Sequence, residues 1–202
     1  MTTGHLLAVL GPPGAGKSAL VGELTRGLRF RCARWGETTL WVTTYEGTSV
    51  HEPGKHEPGT PKGAAHRGTD LLQHNVQPHA EKWLREGRPP LVLHEGCQVL
   101  ASRSWLDLAV SLGYEVRTVY VAMPEAERKA RVEARGYSAW DPTWQAGLAT
   151  RALRLAAEWS AVMVPGWLPL EQVAEKVAGL SPVAEALWAR AGTVGPEQGV
   201  LL

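Results

Sequence analysis

The sequence predicts an α/β fold, a five-stranded parallel sheet covered by helices on both faces. Two observations carry that prediction. Short apolar runs alternate with segments of helical periodicity along the chain, the pattern that successive βα units leave behind. A glycine- and proline-rich stretch, Gly11–Gly16, separates the first apolar run from the first helix. Composition agrees: the 202 residues are 44% hydrophobic and 20% charged, a globular balance and not that of a disordered chain. A chain of this length can bury roughly 70% of its unfolded surface in a single domain.

The elements follow in order. His5–Leu10 is apolar throughout and reads as a buried strand. Ser18–Leu28 places Leu20, Val21, Leu24 and Leu28 at helical spacing. Thr38–Tyr45 is rich in β-branched and aromatic residues and reads as a second strand. Residues 46–69 are mostly Gly, Pro, His, Lys, Glu and Thr, with a near-duplicate (His51–Lys55, His56–Thr60), and read as a mobile flap over a substrate. Pro78 opens a helix to Glu86, and Leu91–His94 is a third strand. Ser102–Leu112 is a helix stopped by Gly113, and Glu115–Ala122 is a fourth strand. Pro124–Arg135 is the clearest helix: proline at its start, Glu125 and Glu127 in its first turn, Arg135 in its last, Gly136 after it. Thr143–Trp159 is helical, Ala161–Val164 is a weak fifth strand, and Leu170–Ala178 is a further helix. Residues 181–202, a short helix and a Gly/Pro tail, are expected at the periphery.

Charge and length exclude several classes. A net charge of +1 announces neither a nucleic-acid nor a membrane binder. No apolar run approaches the roughly 18 residues of a membrane span, and the start of the chain lacks a secretory leader's basic segment. Two cysteines, Cys32 and Cys97, make no disulfide framework, so a reduced cytoplasmic setting without a membrane partner is expected.

The chemistry begins at Gly11-Pro12-Pro13-Gly14-Ala15-Gly16-Lys17-Ser18, which fits G-x-x-x-x-G-K-[ST]. Backbone N–H groups must turn inward around a phosphate, and glycines tolerate the dihedrals and the close approach this needs. The helix that follows aims its unpaired N–H groups and positive dipole end at the same anion. Lys17 reaches the β- and γ-phosphates of ATP, and the Ser18 hydroxyl coordinates Mg²⁺.

Such a loop serves switches, motors and kinases alike. An Asn-Lys-x-Asp guanine reader is absent, since Asn75 is the sole asparagine. The third strand ends in Glu95-Gly96, without the paired acids of a motor. A small phosphotransferase remains, which needs a carboxylate for the acceptor hydroxyl and cations for the moving phosphoryl group. Glu46 and Glu95 follow strands, at the sheet edge where ligands bind in open parallel sheets. Arg128, Arg131 and Arg135 share one helical face and would close over ATP as a lid spanning residues 124–150. Arg67 and Asp70, where the flap rejoins the domain, would contact substrate, although an N-cap at Thr69 or Asp70 explains them equally well.

The loop, Glu95 and the arginine helix resemble the thymidylate-kinase-like branch of P-loop kinases. Gly68-Thr69-Asp70, Val76-Gln77-Pro78 and Glu95-Gly96 resemble, more narrowly, phage kinases that phosphorylate 5-hydroxymethyluracil in DNA on the way to hypermodified thymidine. Leu71-Leu72 and Cys97-Gln98 depart from that pattern. The resemblance implies a P-loop NTPase three-layer sandwich of nucleoside-monophosphate-kinase type, a single domain over residues 1–202, and a setting in the host cytoplasm if phage-encoded. It implies ATP and Mg²⁺ as cofactors, and a nucleotide or DNA bearing a modified pyrimidine as partner. Homodimers are common among such relatives, and nothing in this sequence specifies an interface. Lys17, Glu95, Arg128 and Arg131 would act in catalysis, with Glu46 or Asp70 receiving the acceptor proton. A free nucleoside or nucleoside-monophosphate kinase fits the same motifs, and so does a nucleotide-binding regulatory module that transfers nothing.

Overall fold

The computed structural model describes residues 4–24, 32–35, 38–43, 81, 83–88, 90–96, 102–134 and 140–191; of 32–35, 38–43, 83, 87, 190 and 191 it describes the backbone alone. The elements are β1 (Gly4–Leu10), α1 (Lys17–Leu24), β2 (Cys32–Trp35), β3 (Thr38–Thr43), a π-helical turn (Trp83–Gly87), β4 (Leu91–Gly96), α2 (Arg103–Ser111), β5 (Tyr114–Ala122), α3 (Glu125–Ala134), α4 (Pro142–Glu158), β6 (Val162–Pro165), α5 (Leu170–Ala178) and α6 (Pro182–Ala191).

The sheet has six strands in the order β2-β3-β4-β1-β5-β6. The pairs β3·β4, β4·β1, β1·β5 and β5·β6 are parallel, whereas β2·β3 is antiparallel. The five parallel strands read from the sequence are all present, and one antiparallel edge strand, β2, is added to them. Cys32–Trp35 forms a hairpin with β3, joined by the two residues between Trp35 and Thr38. A connection that short permits only an antiparallel return.

Side chains of a strand alternate between faces, and this separates two cores. Leu7, Val9, Leu93, Val119 and Val121 meet Leu20, Val21 and Leu24 of α1, Val173, Ala174 and Val177 of α5, and Val183, Ala184 and Leu187 of α6. The intervening residues Leu6, Ala8, Leu10, Val92 and Tyr120 meet Trp105, Leu106 and Ala109 of α2 and Ala152, Leu155 and Ala156 of α4. The result is the expected three-layer sandwich. Residues 181–191 are not peripheral, because α6 buries Val183, Ala184 and Leu187 in the first core; residues 192–202 lie outside the described residues.

Local chemistry places the helix ends. Ser102 caps α2, accepting from the Trp105 N–H at 3.3 Å, and Asp141 caps α4, accepting from the Trp144 N–H at 3.0 Å. Pro142 opens α4, where its missing N–H costs nothing. The helix expected from Pro78 to Glu86 is described only at Glu81 and in the turn Trp83–Gly87, whose Leu84 is fully buried. Among the described residues, no helix is long and apolar enough to cross a membrane.

Candidate active site

β1 lies between β4 and β5, with Leu10 in register with both Gly96 and Tyr120. The three strands therefore finish at one level, and the loop leaving β1 opens above their carboxyl ends, where open α/β sheets bind ligands. The loop's shape follows from its glycines. Gly14 has φ 79°, a left-handed conformation, and a Cβ there would stand 2.8 Å from the Arg128 carbonyl oxygen. Gly16 has φ 98°, and a Cβ there would stand 3.3 Å from Arg131 Nη1. Helix α3 thus lies against the loop, with the guanidinium of Arg131 beside Gly16.

Lys17 and Ser18 begin α1 at the loop's end. The Lys17 ammonium is nearly buried and donates to the Pro12 carbonyl at 2.9 Å, so it turns back across the loop. The Ser18 hydroxyl donates to Glu95 Oε1 at 2.8 Å, joining residues 77 apart in sequence. Glu95 is fully buried, on the same face of β4 as Leu93 and hence towards α1. Its neighbour His94 points to the other face and packs against Trp105, ring centroids 5.1 Å apart. Burial drives the His94 imidazole down to about 3, so it is neutral at physiological pH.

A third wall of the loop comes from the chain after β6. The Gly166 N–H donates to the Ala122 carbonyl at 2.8 Å, and a Cβ at Gly166 would stand 2.7 Å from the Ala15 carbonyl. Only glycine allows this approach.

The two arginines of α3 have different surroundings, although their spacing put them on one face. Arg131 is exposed beside Gly16, while Arg128 is 5% exposed and the only buried residue of α3. The Arg128 guanidinium lies under the Trp140 ring, 5.4 Å from its centroid. It also lies close enough to Tyr120 to lower the tyrosine's pKa by its charge, a smaller effect than the burial that raises it.

Of the residues expected at the site, Gly11–Ser18, Glu95, Arg128 and Arg131 come together; Glu46, Arg67, Asp70, Arg135 and the flap at 46–69 lie outside the described residues. The segment expected as a lid, 124–150, divides into α3 and the first half of α4, which buries Gln145 and Leu148 against the domain. Tyr120, Gln145 and Gly166 were not singled out. Gln145 had a visible signal, a polar residue on the helical face of Leu148 and Ala152.

The donors present fit Mg²⁺. Ser18 and Glu95 are hard oxygen ligands at hydrogen-bond distance, and this ion is commonly held by one or two protein oxygens together with substrate phosphates. Among the described residues no group of three His, Cys, Asp or Glu forms a fuller cage.

Comparison with known proteins agrees with this geometry. The family model described as P-loop Nucleotide Kinase3 matches residues 2–169. A candidate kinase from Chloroflexus aurantiacus is 16% identical, with a TM-score of 0.55 over 89% of this chain and 99% of that one. A sugar kinase from Janibacter sp. HTCC2649 is 14% identical, with a TM-score of 0.48 over 91% and 98%. Deoxyadenosine kinase from M. mycoides is 11% identical, with a TM-score of 0.49 over 94% and 100%. The Chloroflexus likeness shows a shared fold and speaks to nothing else. No curated protein matches the chain.

Proposed function

Since the chain belongs to the P-loop nucleotide kinase family, we propose that this phosphotransferase moves the γ-phosphate of ATP to a hydroxyl of a pyrimidine nucleotide, with 5-hydroxymethyluracil in DNA the favoured acceptor. The observation that carries the reading is the Ser18–Glu95 hydrogen bond at the mouth of the glycine loop. It supports a metal-triphosphate site, because a hydroxyl and a buried carboxylate meet where the loop would deliver the β- and γ-phosphates.

The residues divide the work. The loop amides and Lys17 hold the polyphosphate and offset its charge. Ser18 and Glu95 would hold Mg²⁺, which when bound supplies a Lewis acid for the phosphoryl oxygens. Arg131, beside Gly16, stabilises charge on the transferring group. The acceptor oxygen forms a bond to Pγ as the bond to the β–γ bridging oxygen breaks. The acceptor's proton passes to Glu46 or Asp70. Acceptor choice rests on the likeness of Gly68-Thr69-Asp70, Val76-Gln77-Pro78 and Glu95-Gly96 to the phage DNA kinases.

An acceptor screen with γ-labelled ATP tests this. Label should enter DNA containing 5-hydroxymethyluracil and not unmodified DNA. Label in free nucleosides or nucleoside monophosphates alone would make the protein a small-molecule kinase. ATP binding without acceptor-dependent ADP release would make it a regulatory module and defeat the proposal.

A further inference from the structure

Buried polar atoms in native proteins almost always have partners, so a buried one without a partner calls for an explanation, and at the mouth of a binding site a ligand is one. Among the described residues, Arg128 Nη1 and Gln145 Oε1 are such atoms, each on a side chain at least nine-tenths buried. Both lie near the carboxyl edge of the sheet. Arg128 extends from α3 under Trp140 and close to Tyr120, which belongs to the core shared with α2 and α4. Gln145 sits in the first turn of α4, which follows Trp140 directly. α4 returns to β6, which is parallel to β5, so α4 begins at the edge where the strands end. Ser18, Glu95 and α1 occupy the opposite face of the same edge.

We infer that Arg128 binds a phosphate group carried by the acceptor, whereas Arg131 serves the triphosphate of the donor. This deepens the kinase reading and rests on it. The planar guanidinium is suited to bidentate phosphate contact, and the tryptophan over its face leaves the N–H edge free for that role. Desolvation strengthens the contact, since there is little water to compete. Gln145 Oε1 is left to accept an N–H from the same ligand, as the imide N–H of a uracil-type base would provide. The acceptor is thus a nucleotide or a nucleic-acid strand and not a bare nucleoside or sugar.

Equilibrium binding separates the sources. The probes are 5-hydroxymethyl-2′-deoxyuridine, its 5′-monophosphate, a short oligodeoxynucleotide carrying the base, and a fluorescent ATP analogue. The wild type should bind at least one phosphorylated probe about tenfold or more tightly than the nucleoside. Arg128→Gln should bring the two within about twofold while the ATP analogue binds within about twofold of wild type. Arg128→Lys, which keeps the charge and loses the fork, should fall between and serves if the glutamine variant misfolds. Preference for the monophosphate alone identifies a monoester, and preference for the oligonucleotide alone a diester; both support the assignment. Equal binding of nucleoside and phosphorylated probes, absence of phosphorylated-probe binding, or a preference that survives both substitutions would overturn it. Failure of the wild type to bind the ATP analogue would instead defeat the kinase reading beneath it.

Discussion

Helices α3 and α5 have nearly equal length and both lie against the phosphate loop or the helix that follows it, yet they are fastened differently. α5 buries Val173, Ala174, Val177 and Ala178 and packs on α1 and α6. α3 buries Arg128 alone, and its contact with the loop is made through the Arg128 main chain at Gly14. Apolar burial of roughly 1.5–3 kcal/mol per large side chain holds the first in the fold. The second has almost none of that support. Its place is set by a glycine that lets it approach and an aromatic ring that covers one cation. A helix so attached contributes little apolar burial to stability.

Substitutions in the two regions should differ accordingly. Leu187→Ala, in the layer that α5 shares with α6, should lower unfolding free energy by about 2–5 kcal/mol in denaturant titrations, because the site is fully packed. A much smaller loss would mean that the α5–α6 layer is not a core.

The next effect is a dependence on pH at the face opposite α1. His94 is neutral when buried, held down to about 3 from an ordinary 6.5. Below about 6.5 the unfolded chain takes up a proton that the folded chain refuses. Stability present above that pH should therefore fall as pH drops from 6.5 towards 3, by at most about 1.4 kcal/mol per unit. His94→Phe, which keeps an aromatic ring against Trp105, should flatten that slope. An unchanged slope would place the titration elsewhere.

The smallest effect is expected on α3 itself. Lys129→Ala removes an exposed residue whose link to Glu133 spans 3.9 Å. It should change stability by no more than about 0.5 kcal/mol. A loss comparable to that at Leu187 would erase the contrast between the helices.

Much of this was legible in the chain. β1 is covered on both faces and reads as a continuous apolar run, as do Leu91–Leu93 of β4 and Val119–Ala122 of β5, so the sequence places these three strands within a residue or two. The loop was legible because its chemistry requires a fixed spelling between a strand and a helix. β2 was not. Four residues containing Arg34 carry too little pattern to mark an edge strand, and pairing with β3 makes it one. α6 was visible as a helix, but the Gly/Pro-rich tail beyond it suggested the surface, where burial of Leu187 shows a core element. At the site, a three-residue spacing puts Arg128 and Arg131 on one side of a helix. It does not reveal which of them crosses from the loop to the other face of the sheet. That depends on Gly14 admitting the Arg128 backbone and on Trp140 arriving from beyond the helix, both tertiary facts.

The central claim is that the loop from Gly11 to Ser18 holds a nucleotide triphosphate. Titrating a fluorescent ATP analogue into the wild type and Lys17→Ala, with circular dichroism to verify the fold, tests it most directly. The account predicts saturable binding by the wild type and affinity at least about tenfold weaker in the variant at unchanged secondary structure. Equal affinity in the two proteins would contradict it.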